Sequence, residues 1–307
     1  MKTFEREYAV VEARWCVALS GGADSLALTA VAAKARPTTA LIVDHQLQTG
    51  SDEVAATARQ QALSLGCVEA QIIPVDVGTA GGPEAAARTA RYLALDTARS
   101  GAPVLLAHTL DDQAETVLLG LGRGSGARSI AGMRPHDPPW YRPLLGVRRE
   151  VTHAACSELN LTPWQDPHNV DRRYTRTRLR LEVLPLLEDV LGGGVAEALA
   201  RTAAALREDT EALDELAGHE LGEVSTAGGL DASRLLDLPE AIRRRVIRGW
   251  LLAGGASGLT DKQIRGVDSL VTAWRGQGGV AVGSPLRSQR LIAGRRDGML
   301  RLHTEPV

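Results

Sequence analysis

The sequence predicts an α/β protein, a doubly wound parallel sheet followed by a helical segment and a small α+β second domain. Two observations carry this. From Cys16 to Leu119 apolar runs of strand length alternate with amphipathic runs of helix length, the order that lays parallel strands beneath crossover helices. Beyond Gly192-Gly193-Gly194 the periodicity is helical, and short alternating runs return only towards residue 307.

The elements follow in order. Strands are expected at Cys16 to Leu19, Ala40 to Val43, Gln71 to Val75 and Val104 to Ala107. Helices are expected between them, at Asp24 to Ala35, Ser51 to Leu65, Pro83 to Ser100 and Asp111 to Leu119. The alternation ends near Ser125, in a glycine-rich segment, Gly122 to Gly126, that reads as a mobile loop. A Pro- and Trp-rich connection, a helix near Arg148 to Leu159 and an arginine cluster from Arg172 to Arg180 come next. After the glycine triplet a long helix runs from Val195 to about Leu221, and "EVSTAGG" reads as a linker. Two further helices, near Pro239 to Leu252 and Asp261 to Trp274, precede the last strands. The expected domains are therefore 1–190, a helical linker 191–224, and 225–307.

Composition bounds the function classes. At 307 residues and 44% hydrophobic, the chain is long enough for about two globular domains. The opening "MKTFEREYAV" is charged and no apolar run approaches the ~20 residues that span a bilayer. A cytoplasmic location without membrane contact is expected. Cys16, Cys67 and Cys156 are far apart and form no CxxC, so reduced packing thiols are the simplest reading. A net charge of -2 gives no global sign of nucleic-acid binding, so RNA contact would fall to local arginine patches. The sequence leaves homodimerisation open.

The turn "SGGADS" after the first strand is the most informative stretch. In a parallel sheet, strand ends and helix starts share one edge, where backbone N–H groups and the helix dipole favour an anion. Two consecutive glycines, Gly21 and Gly22, let the backbone wrap a phosphate closely. The loop has neither the lysine of GxxxxGK[ST] nor the spacing of GxGxxG. An ordinary strand-helix turn capped by Asp24 or Ser25 would account for the glycines alone.

Further polar groups fall on the same edge. Asp44 and His45 follow the second strand and His108 the fourth, while Asp111, Asp112 and Glu115 share one face of the helix that opens there. Acids in a first helical turn also suit the dipole by themselves. Arg88 and Arg91 lie near one face of the preceding helix beside Tyr92; solvated surface arginines are the bland alternative. Arg172, Arg173, Tyr174, Arg176, Arg178 and Arg180 form the best candidate RNA contact of the first domain, with Arg243, Arg244, Arg245 and Arg248 in the second. Composition alone serves a solvated helix start equally well.

The form SGGxDS is similar to the pyrophosphate-binding loop of the N-type ATP pyrophosphatases, the PP-loop superfamily, whose sheet is adenine nucleotide alpha hydrolase-like. With "VDHQLQ", "EAAARTARY", "HTLDDQAET", "GLGRGSGARSIAGM", "RPLL" and "WQDPHNVDRRYTRTRLRLEVLP" in this order, the chain resembles tRNA(Ile)-lysidine synthases, in the short form with one C-terminal domain.

That resemblance implies a two-step ligation. ATP adenylylates oxygen 2 of the wobble cytidine in the CAU anticodon of tRNA(Ile), and free L-lysine then attacks carbon 2 through its side-chain amine. Lysidine, AMP and pyrophosphate result, and the codon read changes from AUG to AUA. Ser20, Gly21, Gly22, Ala23 and Ser25 would cradle the pyrophosphate, with Asp44 near the nucleotide. Asp24 would bind Mg²⁺, as Asp111 could. Arg88, with Arg91 as second candidate, would hold the α-phosphate, and His108, Asp112 and Glu115 would handle lysine. The catalytic set implied is thus Asp24, Arg88, His108, Asp112 and Glu115. Two positions depart from the family pattern: Gln48 stands where arginine is usual and Thr177 where asparagine is usual, which bears on RNA contacts more than on ATP use. The rival readings are a tRNA thiolation enzyme of the same superfamily, against which the missing CxxC argues, and a non-catalytic ATP- or RNA-binding module.

Overall fold

The computed structural model describes residues 1, 4, 6, 12–46, 48, 50–78, 82–124, 126–283 and 288–306. Ser125 of the glycine-rich segment and Leu47 of the "VDHQLQ" motif lie outside them. The chain forms two compact units, one of Met1–Leu119 with Gly132–Arg201, the other of Gly120–Ala131 with Thr202–Val307.

The first unit is built on six strands: β1 (Trp15–Ala18), β2 (Thr38–Asp44), β3 (Glu69–Pro74), β4 (Val104–Leu105), β5 (His136–Asp137) and β6 (Trp140–Tyr141). Their order is β3-β2-β1-β4-β6-β5, parallel throughout except that β5 runs antiparallel to β6. Successive side chains point to opposite faces. Val17, Ala40 and Ile42 therefore enter one core with Leu26 and Leu28 of α1 (Ala23–Ala35) and Ala55 and Ala58 of α2 (Ser51–Ser64), while Cys16, Leu41 and Val104 enter another with Leu95 of α3 (Pro83–Ala98). Both faces are covered, as apolar parallel strands require. The chain moves outward from β1 to β3 and then crosses to β4 on the other side of β1. That reversal opens a crevice beyond the carboxyl ends of β1 and β4.

The crevice is bordered by α4 (Leu110–Arg123) and α6 (Arg149–Glu158); the short α5 is Ala127–Ile130, and α7 (Thr175–Arg178) continues through a π-helical stretch, Leu179–Val183, into α8 (Leu184–Leu191). Gly192, Gly193 and Gly194 all take left-handed φ values, 80°, 91° and 73°, which ends α8 without a side-chain clash. Glu188 then accepts the N–H groups of Val195 and Ala196 at 3.0 and 3.1 Å, capping α9 (Val195–Val224). Residues 191–224, expected as a helical linker, are mostly one helix whose first turns belong to the first unit and the rest to the second.

The second unit carries β7 (Ser225–Thr226), β8 (Gly229–Asp231), α10 (Ala232–Asp237), α11 (Glu240–Ala253), α12 (Asp261–Thr272), β9 (Val280–Val282), β10 (Gln289–Arg296) and β11 (Met299–Pro306), with sheet order β7-β8-β11-β10-β9. The "EVSTAGG" segment is the end of α9 and a β-hairpin rather than a loose linker. Gly229 makes the hairpin fit: its φ is +128° and a Cβ there would lie 2.0 Å from the Leu300 carbonyl oxygen on β11. Leu230, Leu235, Ile247, Leu251, Leu270 and Leu300 form the core, with Trp250 packed against it.

Candidate active site

The turn after β1 is a built loop. Gly21 has φ +84°, a conformation that a side chain would strain, and its carbonyl accepts Trp164 N–H at 2.9 Å. Ser25 Oγ accepts Ser20 N–H at 3.2 Å and donates to the Gly22 carbonyl at 2.9 Å. Gly22 is the N-cap of α1 and brings no capping side chain. The helix thus presents its first N–H groups, and its dipole, to whatever lies in front of it.

A cavity of about 1230 Å³ lies there, lined by Ser20, Gly22, Ala23, Asp24 and Ser25 from the loop and by Asp44, Arg91, His108 and Asp112 from elsewhere. Four chain segments, distant in sequence, therefore share one space. Gly21, Arg88, Asp111 and Glu115 are not in its wall.

Asp24 accepts a short hydrogen bond from Thr152 Oγ1 and stands 3.5 Å from Arg149 Nε. Burial pushes its carboxyl above the usual range, opposed by Thr152 and Arg149. Asp112 accepts Thr109 N–H at 2.8 Å and Thr109 Oγ1 at 3.0 Å, and Arg149 Nη2 lies 2.7 Å from its other oxygen. Burial alone would raise Asp112, but Arg149 and the Thr109 N–H hold it below the ordinary value. Glu115 is fully buried, against Arg180 at 2.7 Å and Arg149 at 3.5 Å. Asp111 turns away, accepting the Arg149 backbone N–H at 2.7 Å and lying 3.5 Å from Arg148. Its carboxylate caps α6.

Arg91, His45 and His108 also line the wall, His108 within reach of the Asp112 charge. Burial lowers the pKa of all three, His108 to about 4, and the Arg91 charge lowers both histidines further. Both imidazoles are neutral at pH 7. Each has a buried Nδ1 without a hydrogen-bond partner among the described residues. Arg91 forms no ion pair among the described residues, whereas Arg88 lies outside with its guanidinium 5.0 Å from the Tyr92 ring centroid. Of the two arginines weighed from sequence, Arg91 is the one that faces the cavity. Asp44 is buried and accepts the Gln46 N–H at 2.9 Å.

Residues 1–187 match the model of a PP-loop domain, and residues 230–298 that of a TilS substrate binding domain. A tRNA(Ile)-lysidine synthase of Mycobacterium tuberculosis (strain ATCC 25618 / H37Rv) is 76% identical over 298 residues, covering 96% of this chain and 92% of its own. That of Mycobacterium leprae (strain TN) is 71% identical over 311 residues, covering 100% of this chain and 96% of its own. The chain belongs to the tRNA(Ile)-lysidine synthase family.

A solved structure, the U34-tRNA thiolase NcsA from Methanococcus maripaludis with its 4Fe-4S cluster, matches 67% of this chain and 78% of its own, with TM-score 0.54 and 17% identity. At that identity the likeness is one of fold. In this member of the lysidine synthase family the arginine-rich stretch divides in two. Arg172, Arg173 and Arg178 are 74%, 84% and 61% exposed on their side chains, and Tyr174 is exposed, so this part of the stretch presents itself to solvent. Arg176 instead donates to Thr116 Oγ1 at 2.9 Å and Arg180 to Glu115. These two point back at α4.

In the second unit, Arg243 is buried and paired with Asp268 at 2.6 Å, and Arg244 pairs with the same carboxylate at 3.0 Å. The expectation of RNA contacts from these two meets a physical obstacle, because their charges are neutralised inside the unit. Arg248 is half-buried, near Arg128 and Asp214. Sequence reasoning missed Arg149 and Thr152 altogether. Arg149 lies at the start of a helix-length run after "RPLLG", with no signal of its own except a charge in an otherwise unremarked first turn.

Proposed function

We propose that this chain is a tRNA(Ile)-lysidine synthase that joins free L-lysine to carbon 2 of the wobble cytidine in the CAU anticodon of tRNA(Ile), at the expense of ATP, through an adenylylated cytidine. The observation that carries the reading is the single cavity in which the SGGADS loop faces Arg91, His108 and Asp112. A reaction that first breaks a phosphoanhydride and then admits an amine needs anion-binding and cation-binding ends within one space.

The loop supplies the first. Uncapped N–H groups of α1 and the Ser20 hydroxyl are donors for a pyrophosphate, while Ser25 holds the loop by donating to the Gly22 carbonyl. Arg91, with a fixed charge in a buried setting, is suited to the α-phosphate, where charge redistributes as the bond to pyrophosphate breaks. A neutral His108 beside it can accept a hydrogen bond without adding charge.

Mg²⁺ usually rides on nucleotide phosphates and needs only one or two carboxylates with water. Asp24 fits that demand: it is a hard oxygen donor on the cavity wall, and one hydrogen bond from Thr152 with one ion pair to Arg149 leaves lone pairs free. The ion would supply charge neutralisation at the phosphates. Asp111, engaged by the start of α6, is the weaker candidate.

Asp112 is the carboxylate for the ammonium end of lysine, held in place by Thr109 and Arg149. Glu115, wholly buried, orients Arg180 and Arg149 instead of touching a ligand. Exposed Arg172, Arg173, Tyr174 and Arg178 are the proposed tRNA contacts of this unit. Cys16 and Cys67 are buried with thiols pushed up to about 11, and Cys156 is buried too, so no observation favours persulfide chemistry.

The decisive assay combines the protein, ATP, Mg²⁺, lysine and a CAU-bearing isoleucine tRNA, followed by nucleoside mass measurement. Lysidine is the expected product. Its absence under conditions that support a known synthase overturns the reading.

A further inference from the structure

The first turn of α6 reaches the candidate site from a direction that no motif announces. Arg149 opens the helix, and its guanidinium meets three carboxylates: Nη2 is 2.7 Å from Asp112, Nη1 3.5 Å from Glu115 and Nε 3.5 Å from Asp24. Its backbone N–H is held by Asp111. Thr152, one turn on, donates to Asp24 and so ties the same turn to the phosphate loop. The helix itself is anchored, since Cys156 Sγ donates to the Ala23 carbonyl at 3.3 Å and packs in the core that includes α1.

We propose that Arg149 is a positioning residue shared by both half-reactions, holding the loop carboxylate of Asp24 and the helix carboxylate of Asp112 in one register. The inference rests on the reading above, which gives Asp24 to the phosphate end and Asp112 to the lysine end. Among the described residues, Arg149 is the side chain that pairs with both. Arg180 reaches Asp112, at 3.6 Å, and Glu115, at 2.7 Å, but forms no ion pair with Asp24. Chemistry explains the residue type: a planar guanidinium presents five donors in a fixed fork and can engage two or three acceptors along different edges, whereas an ammonium is one compact charge. With the side chain 18% exposed, these contacts are only partly screened by water.

The register matters because adenylylation of oxygen 2 and amine attack on carbon 2 take place at the two ends of one bond of the same base, the oxygen leaving with AMP as the amine adds, so the phosphate end and the lysine end must stay at a constant separation through both steps. A displacement of about 1 Å in such a site costs on the order of 100-fold in rate. Arg149 supplies the cross-brace between α1 and α4.

The test uses the full chain in three variants, Arg149→Lys, Thr152→Val and Arg180→Lys. Calorimetric affinity for ATP with Mg²⁺ reports the Asp24 end, lysine KM in lysidine formation reports the Asp112 end, and a thermal melt reports folding. Arg149→Lys is expected to weaken nucleotide affinity about fivefold and raise lysine KM about tenfold together, because charge is kept and the fork is lost. Thr152→Val should move the nucleotide affinity alone, and Arg180→Lys the lysine KM alone. A folded Arg149→Lys that shifts neither quantity beyond about twofold, or shifts only one, overturns the proposal. Should that variant not fold, Arg149→Gln is read in the same two assays by the same criteria. Wild-type protein that forms no lysidine removes the functional reading itself; active wild type with an indifferent Arg149→Lys removes only this inference.

Discussion

Arg180 closes on Glu115 through two parallel hydrogen bonds, Nε to Oε1 at 2.7 Å and Nη2 to Oε2 at 3.2 Å. Glu115 has no exposed surface, so its charge is balanced wholly by protein. Removing one partner of a buried pair typically costs about 3–5 kcal/mol. Because Arg180 is 27% exposed and can recover some water, Glu115→Ala is expected at the low end, about 3 kcal/mol, in urea denaturation. A loss under about 1 kcal/mol would mean that the pair is replaced without strain.

Asp24→Asn should impair pyrophosphate release far more than tRNA binding. The change keeps the side chain's shape and its bond from Thr152 but deletes the charge that faces the cavity, and the exposed arginines are untouched. Near-normal turnover in the variant would reduce Asp24 to a structural acceptor for Thr152.

The two loop glycines predict opposite outcomes. Gly21→Ala places a side chain at φ +84°, a strain of about 1–2 kcal/mol, and should loosen the loop and lower ATP affinity. Gly22→Ala meets only Ser20 Oγ at 3.6 Å with φ -74°, and ATP affinity should stay within about twofold. Equal affinities in the two variants would show that backbone conformation is not what shapes this loop.

His108 should leave a signature in acid. Burial lowers its folded pKa from the ordinary 6.5 to about 4. As pH falls through 6.5 the unfolded chain takes up a proton first, so native stability is complete above that value and declines between about 6.5 and 4. The slope is at most about 1.4 kcal/mol per pH unit for this one proton. His108→Gln is expected to flatten that part of the stability profile, measured by denaturation at several pH values; an unchanged profile would sink the assignment.

Asp268→Ala would leave Arg243 buried without its carboxylate partner and Arg244 with Glu240 alone among the described residues. Destabilisation of the second unit by about 3 kcal/mol or more is expected in thermal unfolding, and Arg243→Ala should behave alike. If Arg243→Ala keeps its stability and instead loses tRNA affinity, the arginine is an RNA contact after all.

Sequence alone determined the four parallel strands β1 to β4, the loop and the family resemblance, because each depends on local or strictly ordered features, whereas the two-residue strands β5 and β6 lie in what reads as a Pro- and Trp-rich connection. Apolar alternation sets strands and helices, Gly21 and Gly22 mark a backbone that wraps closely, and parallel strands bring their carboxyl ends to one edge whatever the side chains do. Partner choice among charges was another matter. Arg176, Arg178 and Arg180 are alternate residues of one stretch, yet Arg178 faces solvent, Arg176 meets Thr116 and Arg180 meets Glu115. Arg243 reads as a surface cation until Asp268, on another helix, closes over it. Asp111 and Asp112 are neighbours, but one caps α6 and the other lines the cavity. A guanidinium or carboxylate has no preferred partner in the chain's local grammar. Its pairing is decided by which opposite charge the packed helices leave within about 4 Å once water has been displaced, and only the tertiary structure specifies that.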